Sequence, residues 1–244
     1  MLLQPSDLVG CRYRLSQKQR HPDIPPTDTT YARRRRLTLA RRQATALLPT
    51  HPQRGDKKLF HRIDLGTLDD TEDRWFATLE ALAAKATIIT DAMLHTTRGG
   101  HAFAVPIDAL VRRPDGNYMP VLITNHRIIR PDPNRTIQVM STRRLGLGTP
   151  NIGHYRLKHH SADSFTLALA NHALADVGHA AQRGILIGQD PEIAVILDTE
   201  LLEQGLQLAL AQPIPAHAHR VKECGTCRFW PLCEAELVER DDLS

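Results

Sequence analysis

The 244-residue sequence predicts an α/β fold, with helices packed on a mixed β-sheet, on three observations. Segments with apolar residues at helical spacing alternate with short β-branched segments, in the order helix, three strands, helix, two strands, helix. A composition of 41% hydrophobic and 24% charged residues suits a globular chain with one sizeable core. No apolar run approaches the roughly 18 residues of a membrane span, and the N-terminus lacks a signal peptide's charged start and apolar stretch. A single cytoplasmic domain with no membrane partner is therefore expected over 1–244: a basic helical region at 1–60, an α/β core at 71–211 and a cysteine motif at 221–240.

The elements follow in order. "LQPSDLVGCRYRL" reads as a capped first helix, with Ser6 and Asp7 as cap candidates and Cys11 on the helix or just past it. The three prolines of "RHPDIPPTDTT" make a loop. A second helix is expected from Thr30 to Leu48, with Leu37, Ala40, Ala44 and Leu47 on one face and arginines around the rest; Pro49 to Gly55 ends it. Thr71 to Ala86 places Trp75, Leu79, Leu82 and Ala86 at helical spacing behind Asp69, Asp70 and Asp73, acids that favour a helix N-terminus. The period then shortens. "TIITDAML", "AFAVPIDALVRR" and "YMPVLITNHRII" are strand-like, and "RPDGNY" between the last two is a hairpin turn with Gly116 available for positive φ. Pro131 to Ser161 is long, polar and glycine-punctuated, and is expected to be a mobile or ligand-facing connection. A helix from Ala162 to Ala181, the strands "GILIG" and "IAVIL", and a helix from Thr199 to Ala211 complete the core.

The cysteines carry the strongest chemical signal. Cys224, Cys227 and Cys233 form Cys-x2-Cys-x5-Cys, and Cys11 precedes them by the 212 residues 12 to 223. So few cysteines, so clustered, favour metal over a disulfide scaffold. Four thiolates suit a [4Fe–4S] cluster, and a Cys-x2-Cys turn aims two of them at one centre. Structural zinc also takes four thiolates, usually from two compact knuckles; burial of four unconnected cysteines is the third reading. A cluster would close the long loop, a constraint worth about 5 kcal/mol in the entropy treatment of disulfides.

A lone N-terminal cysteine with a late Cys-x2-Cys-x5-Cys, flanking an α/β core, resembles the iron–sulfur branch of RecB-type nucleases in the PD-(D/E)XK superfamily. "QPSDLVGCRYR" is similar to the opening of RecB-like nucleases of that branch. The resemblance implies a restriction-endonuclease-like core whose N- and C-terminal segments are joined by a [4Fe–4S] cluster on Cys11, Cys224, Cys227 and Cys233. It also implies DNA cleavage, often exonucleolytic, by Mg²⁺ or Mn²⁺ held by an Asp and by the acid of a (D/E)-x-K. Asp108 in "VPIDALVRR" stands at the first position, but Leu122 and Thr124 occupy those of the Glu-x-Lys, and no Asp or Glu occurs from Asn117 to Arg130. A hard cation needs carboxylate oxygens, so activity would require Glu80 on the preceding helix as second acid, or Asn125, His126 or His101 joining Asp108 around Mn²⁺. The family's helix-borne His and Gln-x3-Tyr are absent from "LARRQATALL" and "TLALANHALADVG".

The charge distribution points the same way. The net charge is only +4, but ten Arg or Lys stand against two Asp between Cys11 and Gln43, while the chain from Cys233 onward is acidic. Arg33, Arg34, Arg35, Arg36, Arg41 and Arg42 share one predicted helix, where phosphate contacts would be strong and salt-sensitive. Arg143, Arg144, Arg156 and Lys158 add charge on the long connection, with Tyr155 able to stack on a base. "LGLGTPNIG" lacks the Gly-Lys-Ser/Thr ending of a phosphate loop. Single- or double-stranded DNA is the expected partner, beside a repair or recombination protein. Three readings stay open: a metal-dependent nuclease with a rearranged site, a pseudo-nuclease that binds DNA, or a zinc-stapled or redox-responsive interaction protein.

Overall fold

A computed structural model describes residues 2–52 and 59–241; residues 53–55 of the expected helix break and residues 242–244 of the acidic end lie outside them. The chain opens with a 3₁₀ turn, Pro5–Leu8, rather than a full helix. Gly10, at φ +75°, turns the backbone before α1 (Tyr13–Arg20), so Cys11 precedes this helix. Asp7 does cap this turn: buried, it accepts from the Gln4 N–H at the N-cap and pairs with Lys18. α2 (Asp28–Thr45) starts where the Thr27 hydroxyl accepts from the Thr30 N–H. Then come β1 (Arg62–Asp64), which no sequence pattern announced, and α3 (Thr71–Ala83), capped by the Asp70 carboxylate on Glu72 and Asp73 N–H.

β2 (Ile88–Arg98) and β3 (His101–Arg112) form a long hairpin closed by Gly99 and Gly100, both at positive φ. β4 (Tyr118–Ile123) follows the expected turn at Gly116, also at positive φ. The connection from Pro131 to Ser161 is built rather than open. β5 (Ile129–Pro131) leads to β6 (Ile137–Ser141), a 3₁₀ turn, β7 (Asn151–Gly153) and β8 (Tyr155–Leu157). The alternation Ile137, Val139 against core explains β6; its short length and polar surroundings masked it. α4 (Ser161–Asp176) ends before Gly178, then β9 (Arg183–Ile187), β10 (Ile193–Asp198) and α5 (Glu200–Ala211) follow. A 3₁₀ turn at Lys222–Thr226 and α6 (Trp230–Glu239) close the chain.

The main sheet runs β1-β2-β3-β4-β9-β10-β6-β7, parallel at β1/β2 and β4/β9 and antiparallel elsewhere; β5 and β8 pair separately. A mixed sheet between helices is thus present. One face packs Leu82, Leu167, Leu174 and Leu206 of α3, α4 and α5 on Ile89, Leu110, Leu122 and Leu186. The other receives Ala44 and Leu48, from the end of α2 and just beyond, on Val111, Val121, Ile123 and Ile185. Most of α2 beyond that contact is exposed, including Arg33, Arg34, Arg35, Arg36, Arg42 and Leu39.

Candidate functional site

The alternation of β2 and β3 slips at one level. Thr90 pairs with Ala109 and Ala92 with Ile107, leaving Asp91 and Asp108 facing one another outside the register. Across that level the core-facing positions change parity, from Ile107 to Leu110 on β3 and from Ile89 to Ala92 on β2. Asp91 sits at φ +54°, and its carboxylate fills space that Gly66 leaves: a Cβ there would come within 2.8 Å of Asp91 Oδ2. The slip turns Asp108 toward α2, where its carboxylate lies 2.6 Å from Arg41 Nε and accepts from the Ile123 N–H at 2.6 Å. Burial pushes the Asp108 carboxyl up to about 6; Arg41 and the Ile123 N–H oppose that rise, and Asp91 adds to it.

The expected second ligands do not gather here. Leu122 is buried in the α3–α4 core, and Thr124 is buried with its hydroxyl 2.7 Å from His126 Nδ1. Glu80 is exposed on α3, and the carboxylate whose charge reaches Asp108 is Asp91. His101 lies at the far end of β3, seven residues or about 23 Å along the strand from Asp108. His126 instead lies against His160, with ring centroids 3.8 Å apart and planes tilted by 42°, and its Nε2 lies 2.9 Å from Asp163 Oδ2. Burial lowers both imidazoles and raises the Asp163 carboxyl to about 6. Asp91 was legible only as an acid inside an apolar strand; Asp163 carried no signal.

All four cysteines line one cavity of about 520 Å³. Cys224 and Cys227 sit on the 3₁₀ turn and its end, Cys233 on α6, and Cys11 just before α1. The Val221 N–H donates to Cys224 Sγ at 3.3 Å. Burial and the neighbouring Cys227, Cys11 and Cys224 push the Cys233 thiol up to about 11. Arg14, Lys18, Arg33, Arg34 and Arg228 line the same cavity. Among the described residues no three His, Cys, Asp or Glu side chains stand where they would hold a metal ion as placed. The donor set of soft thiols ringed by cations suits an anionic, thiolate-ligated group.

The two ends of the chain meet at this cavity through ordinary contacts as well. Tyr13, Ala218 and Leu237 form a small core with Cys11, Trp230 and Cys233 against it. The Tyr13 hydroxyl donates to Glu236 Oε2 at 2.7 Å, and an Arg228 N–H donates to the Ile24 carbonyl at 2.6 Å.

The expected cationic residues divide. Arg33, Arg34, Arg35, Arg36 and Arg42 are exposed and, among the described residues, in no ion pair. Arg41 is committed to Asp108, and Arg143 to a two-point pair with Glu192 at 2.9 and 3.1 Å. Arg144 donates to the Leu147 carbonyl. Lys158 is exposed beside β8.

No family model and no curated protein matches the chain. Among solved structures, a crystal structure of SSO0001 is similar at 15% identity with a TM-score of 0.30, over 83% of this chain and 95% of that one.

Proposed function

We propose that this chain is a DNA-binding pseudo-nuclease of the RecB type, its two ends joined by a [4Fe–4S] cluster on Cys11, Cys224, Cys227 and Cys233. The observation that carries the binding is the row Arg33 to Arg36, exposed on α2 with, among the described residues, no carboxylate paired to it. Free guanidiniums on a helix displace condensed counterions when they meet phosphates, which makes binding strong and steeply salt-dependent.

The same helix supports loss of cleavage. Arg41 fills the place beside Asp108 that a divalent cation would need, and Leu122 offers it no oxygen. Support for a nuclease-like core comes from the order α3, β2, β3, β4, then, after the inserted β5 to β8, α4 and β9, with β4 parallel to β9. For the cofactor, the four thiols line one cavity, and a cubane takes one thiolate on each of its irons. When bound, the cluster would supply a covalent link between the chain ends; DNA is held by the arginines.

The test is a titration of labelled duplex and single-stranded DNA over a range of salt, with wild type and an Arg33→Gln/Arg34→Gln/Arg35→Gln/Arg36→Gln variant. The expected result is binding whose salt slope falls by about 3–4 in the variant, with no cutting in Mg²⁺ or Mn²⁺. No binding by wild type at low salt would sink the DNA reading; cutting lost in Asp108→Ala would make the protein a nuclease.

A further inference from the structure

β5 and β8 form a two-stranded antiparallel ribbon outside the main sheet, in the register Ile129 to Leu157, Arg130 to Arg156 and Pro131 to Tyr155. The Lys158 N–H donates to the Ile128 carbonyl at 2.7 Å, and at the other end the Asp132 N–H donates to the His154 carbonyl at 3.1 Å. Directly opposed residues of an antiparallel pair share a face, and successive residues alternate. Ile129 and Leu157 pack against the main core. Arg130 and Arg156 therefore point together into solvent, and both are exposed.

Like charges so opposed destabilise a ribbon. Among the described residues, neither guanidinium is paired with an acid. Asp132 lies 4.0 Å from Arg135, and among the described residues no ion pair includes Arg130 or Arg156. An anion between the two arginines removes the repulsion. Exposed Arg127 and Lys158 extend the charge toward the ribbon's root. That root is held in place: the rings of His126 and His160, which flank the ribbon, lie against one another.

We infer that this ribbon is a contact for duplex DNA, with Arg130 and Arg156 sharing its phosphates; the inference rests on the DNA reading above and names its substrate class. Single-strand binding depends on aromatic platforms, and the solvent face of β5 and β8 carries no Phe, Tyr or Trp. Tyr155 belongs to the opposite face, its ring so close to Gly153 that a Cβ there would come within 2.8 Å of it. The major groove, by contrast, admits a two-stranded ribbon, and arginines along it meet the bordering phosphates. Arg41 of α2 and the ribbon both adjoin the C-terminal end of β4: Arg41 reaches Asp108, which Ile123 contacts, and His126 begins the approach to β5.

The experiment compares wild type with an Arg130→Gln/Arg156→Gln variant by fluorescence anisotropy, on a short duplex and on oligo-dT, between about 50 and 200 mM salt. The expected result is a salt slope on duplex lower by about 2, an affinity for duplex down by roughly tenfold at low salt, and oligo-dT binding changed less than about twofold. The variant's melting temperature should rise by on the order of 1–2 °C as the repulsion disappears. An unchanged duplex slope, with wild type binding DNA, overturns the ribbon contact alone. Equal losses on duplex and oligo-dT overturn the duplex assignment. Wild type that binds neither DNA overturns this inference together with the reading beneath it.

Discussion

Arg41 stands 2.6 Å from Asp108, so the helix that carries the free arginines also neutralises the carboxylate that a nuclease would give to a metal. Asp108 is almost wholly buried while the Arg41 side chain is 42% exposed. Arg41→Ala strands a buried carboxylate and should cost about 2 kcal/mol, less than a fully buried pair because water already reaches the guanidinium. Thermal denaturation should show that loss for Arg41→Ala and none for Arg42→Ala, whose side chain is exposed and unpaired among the described residues. Equal stability of the two variants would mean that the pair holds nothing.

The pH dependence has a defined sign. The Asp108 carboxyl is raised from 3.8 to about 6 on folding, so its contribution to stability is fully present below 3.8 and is lost as pH rises through 6. Asp108→Asn does not titrate. The variant's melting temperature relative to wild type should therefore climb by on the order of a few degrees between pH 3.8 and 6, then level off. A difference that is flat across this window would show the carboxyl to be unperturbed.

Much of this arrangement was legible in the sequence, for physical reasons that can be named. Long periodic segments declared themselves, because apolar spacing fixes which face is buried: α3, β3, α4 and α5 lie close to where the pattern put them. The cysteine spacing predicts a shared ligand set, and the four thiols line one cavity. Asp108 and its partner were another matter. The parity slip at Asp91 and Asp108 depends on a left-handed backbone that no periodicity reports, and the slip aims Asp108 at Arg41. Arg41 reads identically to Arg42 in sequence, yet only one faces the sheet. The ribbon was hidden because three-residue strands are too short to show a period, and it drew Arg130 and Arg156 together from opposite ends of a polar stretch.

The joint between the chain ends can be loosened without touching a cysteine. Tyr13 is 1% exposed, and its hydroxyl donates to Glu236, which also accepts from the Ala218 N–H. Tyr13→Phe removes one hydrogen bond to a charged group and should cost about 1–3 kcal/mol. Limited proteolysis should then release α6 faster than in wild type. Unchanged cleavage would mean that α6 is held by other contacts.

Gly188 ties the sheet to the ribbon. A Cβ at this position would lie 2.6 Å from Ile128 Cγ1 and 2.9 Å from the His126 carbonyl, the second of which is backbone and cannot swing away. Gly188→Ala should destabilise the fold by about 1–3 kcal/mol and weaken duplex binding more than oligo-dT binding. A variant as stable as wild type would show that the root of the ribbon yields.

The most direct test is an iron and sulfide analysis with an absorbance spectrum on anaerobically purified protein, beside the Cys227→Ser variant. A cubane joining the chain ends predicts about four irons and four sulfides per chain and a broad band near 400 nm, all lost in the variant, whose melting temperature falls. A colourless protein with one zinc, or with no metal and undiminished stability in the variant, would contradict it.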